Sequence, residues 1–183
     1  CYQGQTHGHK GFLLNSSEAQ IILRDLSTKP VIYPYLTGDE LLSNPQSLPS
    51  RYAIDLNHCE DILVAMQYGK AFEHIQLYVM PEMQAKAEKE KLETNREIGP
   101  RQSHFQRWWK FWRGRPEMLD QIAKVTRYIA CARVTKRPIF EFISSNIHPN
   151  DALQVFSLND DYSFGLLQSD IHWQWFTERC STL

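Results

Sequence analysis

The spacing of apolar and polar positions divides this 183-residue chain into short strands and short helices. Apolar runs at 12–14 and 31–33 predict two early strands, and Pro34 is expected to end the second because it lacks a ladder donor. Alternating stretches predict further strands over 51–56, 128–134, 139–143 and 154–158. Strands and helices mix without a strict βαβ rhythm, so the pattern predicts an α+β fold with mixed sheets and packed helices.

Capping residues predict where several helices begin. Ser17 stands three residues before Gln20, and Asn57 stands three residues before Glu60, each ahead of an apolar run. Both spacings match a capping box, in which the two side chains bond each other's backbone N–H groups. We therefore expect one helix over 19–26 and a second one starting at Asn57.

The charged segment 81–98 is rich in helix formers and has only a sparse apolar stripe, which predicts an exposed helical arm. Pro116 fits a first helical position. The spacing after it suits either a continued helix or a break into the strand at 128–134, and the turn residues 135–138 favour the break. Asp160 or Asp161 is expected to cap a final helix reaching Arg179.

Composition indicates a folded protein. Hydrophobic residues make up 42% of the chain and aromatic residues 12%, and no apolar run approaches the ~20 residues of a transmembrane helix. The chain starts at Cys1 without an initiator Met, so we expect a piece of a longer protein. The four cysteines are far apart, which fits reduced thiols in a cytoplasmic protein better than a disulfide framework.

Residues 105–116 hold three of the five tryptophans and four of the twenty basic residues. Indole rings favour burial, whereas the cations between them cannot be buried unpaired. We therefore expect at least two of Trp108, Trp109 and Trp112 to lie in the core. The cations of the segment should then point outward, where guanidinium groups suit phosphate.

The net charge of −1 hides a strong segregation. Residues 99–137 carry ten Lys/Arg against two acids, a charge of +8, and the remainder carries −9. Such a basic segment favours a nucleic-acid partner. A solvated face, or an intramolecular match to the acidic remainder, is the alternative interpretation.

The sequence contains none of the common catalytic motifs considered next. The sequence has no Walker loop, no His-Glu-x-x-His and no Gly-x-Ser-x-Gly elbow. His7 and His9 could ligate a metal, but no Cys pair accompanies them, and loop histidines are the simpler interpretation. We expect no catalytic, cofactor or metal residue in this chain.

Four stretches carry a resemblance to a known family, and they occur in the family's order along nearly the whole chain. They are the opening residues 1–6 with 8–12, the run 31–41, the pair Trp108-Trp109 with Arg113 and Arg115-Pro116, and 164–169 before His172 and Trp175. Together they resemble the target recognition domain of MmeI-like DNA methyltransferases. These are combined restriction–modification enzymes and their adenine-methylating relatives.

The resemblance implies that recognition of the DNA sequence and methylation are carried out by different domains. In that family a neighbouring domain carries S-adenosylmethionine and an Asn-Pro-Pro-aromatic loop, which neither Asn44-Pro45-Gln46 nor His148-Pro149-Asn150 matches. This chain, a single recognition domain over 1–183, would choose the DNA sequence, and the methyltransferase domain of the same parent chain would methylate adenine N6. The expected setting is bacterial restriction–modification or phage defence. The family continues past Leu183, so residues that help set base choice are expected beyond it.

Candidate DNA contacts follow from side-chain chemistry, because cations position a protein on phosphates, and polar groups read base edges. The phosphate candidates are Arg107, Lys110, Arg113, Arg115, Lys136 and Arg137. Weaker candidates for base or backbone contact are Gln3, Gln5, Thr6, His9 and Lys10. Two other classes compete: a protein-interaction domain whose basic patch docks an acidic partner, and an RNA-binding module, for which no RRM-type strand or KH loop is present.

Overall fold

The computed structural model describes residues 1–43, 48–94, 98–135 and 138–179. The strands are β1 (Tyr2–Gln3), β2 (Leu13–Asn15), β3 (Ile32–Leu36), β4 (Arg51–Ile54), β5 (Arg127–Ala132), β6 (Phe140–Ser144), β7 (His148–Pro149) and β8 (Leu153–Phe156). The helices are α1 (Ser16–Ile22), α2 (Gly38–Ser43), α3 (Ile62–Met66), α4 (Gly69–Tyr78), α5 (Met80–Thr94), α6 (Pro100–Phe105), α7 (Pro116–Ile122), α8 (Asp161–Leu167) and α9 (Asp170–Arg179). Short 3-10 helices cover Lys10–Phe12 and Leu26–Val31. The α+β prediction is confirmed.

The chain divides into two compact units. Unit 1 comprises Cys1–Gln5, Tyr35–Ser50 and Arg115–Leu183, and unit 2 comprises Thr6–Pro34 and Arg51–Gly114. That the two units act as one recognition domain stays a prediction. Among the described residues, no helix combines the length and apolar character that crossing a membrane requires.

Unit 1 is built on an antiparallel sheet of order β1-β8-β5-β6. Side chains alternate between its faces, so Tyr128 and Ala130 join one apolar cluster, while Ile129 and Cys131 join another. Helices α2 and α7 contribute to the first cluster, and α8 packs on the second through Phe164. Because both faces are covered, β5 is a nearly continuous apolar run, which is why its periodicity also suited a helix.

Among its described residues, unit 2 combines an antiparallel β2–β4 pair with five α-helices, which are α1 and α3 to α6. Helix α5 packs against α4 and α6 and buries Met83 and Ala87, whereas Leu92 stays exposed. The predicted exposed helix is thus present as Met80–Thr94; most of its residues are exposed, and it packs on its neighbours through Met83 and Ala87. Its Glu90 carboxylate accepts the first N–H groups of α6, at 2.9 and 3.1 Å, and so caps that helix.

Both predicted capping boxes were misplaced. The capping box of α1 is formed by Asn15 and Glu18, not by Ser17 and Gln20, because Asn15 is the residue whose extended backbone directly precedes the helix. Helix α3 begins after Asp61 rather than at Asn57. The two patterns matched in spacing alone, and tertiary contacts decided which residues turn into a helix.

Two further boundaries differ from expectation. Strand β3 continues through Pro34, because Tyr35 and Leu36 gain a parallel partner in β7. The final helical stretch is capped by Asp160 as predicted, but it breaks into α8 and α9. Ser169 stands at the break, and its hydroxyl accepts the His172 N–H at 3.2 Å.

Candidate nucleic-acid interface

In unit 2, two tryptophans anchor the aromatic and basic segment. Trp108 is 6% exposed and packs against Phe72, with ring centroids 5.4 Å apart. Trp109 is 7% exposed, and its indole Nε1 donates a hydrogen bond to the Cys59 carbonyl at 3.0 Å. The prediction that at least two of the three rings lie in the core is confirmed. The segment therefore stands on a rigid base.

The third ring of the segment, Trp112, is 39% exposed. Its ring packs edge to face against the His104 imidazole, with the ring centroids 4.8 Å apart. Gly8 lies beneath it with a φ of +80°, and a Cβ there would come within 3.0 Å of the Trp112 Cβ. The glycine is therefore needed both for its left-handed backbone and for the close approach. Trp112 is held in place while part of its ring stays open to a ligand.

His104 is a buried, neutral support for this ring. Its Nε2 donates to the Lys110 carbonyl at 3.1 Å. Burial, which disfavours the charged imidazolium, lowers the pKa of His104 below its ordinary value. At neutral pH the imidazole therefore adds no charge beside Trp112.

The cations of the segment in unit 2 are not equivalent. Arg107 and Arg113 are exposed. Lys110 instead lays its side chain, 12% exposed, along the protein and places its ammonium 3.1 Å from the Glu60 carboxylate. Arg107 and Arg113 are thus the better placed of the three to meet a phosphate.

Backbone hydrogen bonds join the opening segment of unit 2 to the loop 106–114, which is the part of the aromatic and basic segment that follows α6 in unit 2. Thr6 and Arg113 exchange two hydrogen bonds, each 3.0 Å long. Asn57 fixes the other side of the loop, because its Oδ1 accepts the Phe111 N–H at 2.9 Å. Sequence reasoning missed Asn57, which it assigned to a helix cap. The structure brings the candidates Thr6 and Arg113 together.

Two other candidates of the opening segment have different environments. Lys10 is exposed. His9 is buried, accepts the Gly11 N–H at Nδ1, and meets the Glu82 carboxylate through Nε2 at 2.8 Å. The hydrogen bond from His9 lowers the pKa of Glu82. Both ring nitrogens of His9 are therefore engaged within the protein, and its visible role is to hold the loop.

In unit 1, Arg115 and Gln3 form a connected pair. Arg115 Nη2 donates to Gln3 Oε1 at 3.0 Å, and Gln3 Nε2 donates to the Asp151 carbonyl at 3.2 Å. Among the described residues, Arg115 is alone in having a positive φ (55°) without being glycine. Its Nε is buried and has no hydrogen-bond partner within the described ranges. This strained, half-buried arginine is held by the protein rather than extended into solvent.

The remaining candidates separate clearly. Gln5 is fully buried, its N–H donates to the Pro149 carbonyl at 2.8 Å, and its own carbonyl accepts the Tyr35 hydroxyl at 2.8 Å. A structural function fits this environment better than base contact. Lys136 and Arg137 lie outside the described residues.

Metal and nucleophile chemistry find little support in the part of the chain that the structure describes. Within it, no group of three or more His, Cys, Asp or Glu side chains is placed to hold a metal ion. Burial raises the pKa of Cys59 and raises that of Cys131 to about 11, so both thiols are protonated at neutral pH. The features that the described residues do show at this site are exposed guanidinium groups and a half-exposed indole ring.

Comparison with solved structures finds a similar fold. The whole chain matches part of the structure of the Type IIL restriction-modification enzyme MmeI in complex with DNA, with a TM-score of 0.61 and 20% sequence identity. The match covers 100% of this chain and 22% of that chain, so this chain spans about a fifth of its length. The similarity shows a fold found in a restriction-modification enzyme. No protein-family model and no curated protein matches the chain.

Proposed function

We propose that this chain is the sequence-specific duplex-DNA recognition module of a site-specific adenine-N6 DNA methyltransferase of a restriction–modification or phage-defence system. The observation that carries the proposal is the loop of unit 2, where Arg107 and Arg113 stay exposed around a half-open Trp112. The shared fold supports it, because the enzyme that carries that fold was solved in complex with DNA.

The chemistry of the loop suits a duplex. Exposed guanidinium groups on a rigid base neutralise phosphates without first breaking an ion pair or hydrogen bond inside the protein. Lys110 contributes less, because Glu60 already offsets its charge. The backbone bonds between Thr6 and Arg113 fix the opening segment of unit 2 beside this cation. Methylation itself falls to a further domain of the parent chain, which would bind S-adenosylmethionine and receive the flipped adenine.

Salt dependence tests the proposal. Fluorescence anisotropy with a labelled duplex should give a log K that falls against log salt with a slope of roughly −4 to −5, if about four to six phosphates are neutralised. Arg107→Ala and Arg113→Ala should each weaken binding for all duplex sequences and make the slope less steep by about one. Lys110→Ala should change it less.

Arg24→Ala is the matched control, since Arg24 is an exposed arginine of unit 2 outside the basic segment. Equal effects of Arg24→Ala and Arg113→Ala would show only a general charge effect and contradict the assigned surface. Titrations with single-stranded RNA and with an acidic peptide separate the competing classes. Tighter binding of either one than of duplex DNA would replace the proposal. The chain alone should transfer no methyl group from labelled S-adenosylmethionine.

A further inference from the structure

Unit 1 contains a cavity of about 380 Å³. Helix α2, the end of β5 and the turn before β8 supply its walls. The residues that matter for its chemistry are Asp39, Leu42, Arg133, Val134, Asp151 and Ala152. Its volume lies at the lower end of the range of about 300–1,000 Å³ in which small-molecule sites fall.

Backbone bonds preform the walls. The Arg133 N–H donates to the Ala152 carbonyl at 2.8 Å, which ties the end of β5 to the turn. The Ala152 N–H donates in turn to Asn150 Oδ1 at 2.9 Å. Gly38 lies so close to this turn that a Cβ would approach the Ala152 Cβ to 3.2 Å. The cavity is therefore a fixed feature of unit 1.

The lining combines apolar walls with one cation, Arg133, and two acids, Asp39 and Asp151. Leu42 is 45% exposed and Val134 is 68% exposed, so both leave apolar surface open at the cavity. The Asp39 carboxylate accepts hydrogen bonds, and the Arg133 guanidinium donates them. One N–H of Arg133 donates to the Asp151 carbonyl at 3.3 Å. A guanidinium group has five N–H donors, so others are left for a ligand. A flat ring with an amino group and a phosphate matches this set, because carboxylates accept from base amino groups and guanidinium groups pair with phosphate.

The Asp151 carbonyl links this cavity to candidate DNA contacts. It accepts from Arg133 and also from Gln3 Nε2, and Gln3 in turn holds Arg115. Arg133 thus belongs to one hydrogen-bonded set with two residues that the sequence nominated for DNA. Sequence reasoning counted Arg133 in the basic segment but did not select it.

We propose that this cavity binds a single unstacked nucleotide of the bound DNA, one whose base carries an exocyclic amino group. The base would lie between Leu42 and Val134, with its amino group at Asp39 and its phosphate at Arg133. This inference rests on the proposed function. It adds a second site, distinct from the one in the methyltransferase domain that would receive the flipped adenine, for a nucleotide that is unstacked where the bound duplex is distorted.

The test compares three probes by fluorescence anisotropy and competition: a perfectly paired duplex, the same duplex with one unpaired deoxyadenosine, and deoxyadenosine monophosphate. No base pair has to be broken before an unpaired base enters the cavity. The wild-type chain should therefore bind the bulged duplex about tenfold more tightly than the paired one. A bulged thymidine, which lacks the amino group, should bind several-fold more weakly than bulged deoxyadenosine.

Ala152→Phe fills the cavity from an exposed position, and Arg133→Gln removes its cation. Each should bring the ratio of bulged to paired affinity close to one. Lys124→Gln removes an exposed cation of the same segment away from the cavity and should keep the ratio. Circular dichroism melts establish that the variants fold, and Arg133→Gln carries the test if Ala152→Phe does not.

The outcomes separate the two hypotheses. If wild type binds neither duplex, the proposed function itself fails. If it binds both duplexes equally, the cavity inference is overturned and DNA binding stands. If deoxyadenosine monophosphate binds in an Ala152→Phe-sensitive way and the bulge brings no preference, the cavity takes a free nucleotide, and its assignment to the DNA is overturned.

Discussion

Replacing Trp109 tests whether the aromatic segment is anchored as the structure shows. The indole is 7% exposed and donates to the Cys59 carbonyl. A buried tryptophan removes about 150–250 Å² from water, which at about 25 cal/mol per Å² corresponds to about 4–6 kcal/mol as an upper bound. Trp109→Ala should therefore lower the free energy of unfolding by about 3–5 kcal/mol, in line with other Trp→Ala changes in cores.

Two further variants divide this cost. Trp109→Phe retains most of the apolar area but leaves the buried Cys59 carbonyl without the indole donor, which should cost about 1–3 kcal/mol. Trp112→Ala removes a ring that is 39% exposed, so it should cost clearly less than Trp109→Ala. Trp112→Ala should nevertheless weaken duplex binding more than Trp109→Phe does, because the open ring lies beside Arg113 in the chain.

Urea unfolding followed by far-UV circular dichroism measures these differences without relying on the tryptophans that are removed. Domains have about 5–15 kcal/mol of stability in total, so Trp109→Ala could fail to fold, and Trp109→Phe then supplies the measurement. The reasoning is refuted if Trp112→Ala costs as much as Trp109→Ala. It is equally refuted if Trp109→Phe is as stable as wild type.

Two other outcomes follow from the contacts. Burial lowers the pKa of His104, so the stability that this group contributes is complete above the ordinary histidine pKa of 6.5 and is lost as the pH falls below 6.5. His104→Gln should therefore reduce the change in the urea midpoint between about pH 7.5 and pH 5.5. Some pH dependence should remain from His74, whose pKa is also lowered by burial. Asn15→Ala should cost about 1 kcal/mol in the same unfolding assay, whereas Ser17→Ala should cost almost nothing; the reverse order would restore the capping box expected from the sequence.

Much of the fold could be predicted from local pattern. The strands β5, β6 and β8, the start of α7 at Pro116 and the cap at Asp160 all lie within a residue or two of expectation. These elements have strong local signals: β-branched and aromatic runs, a proline at a first helical turn, and an acid before a helix. The predicted capping boxes failed because spacing alone does not fix where a helix starts: α1 already begins at Ser16, and the next predicted start, Asn57, lies ahead of the Asp61 cap of α3.

In the candidate site, too, some features could be predicted from the sequence, and others depended on the folded structure. The chain's composition alone indicated a basic segment with buried indoles, and the burial of Trp108 and Trp109 follows from how much apolar area each ring carries. Sequence could not reveal that Glu60 neutralises Lys110, or that Glu82 engages His9, because the partners are 50 and 73 residues apart along the chain. Such pairings exist only once the chain is folded.

Sequence by itself therefore determined the class of fold, the sign of the charge on the segment and the burial of two of its three indole rings, since each depends on residue type and near neighbours. Tertiary structure decided which cations stay available: Arg107 and Arg113 are exposed, while Gln3 holds Arg115. It also made the cavity beside Arg133, whose walls come from three separate parts of the chain. Availability of a charge depends on long-range partners, and no local pattern encodes those.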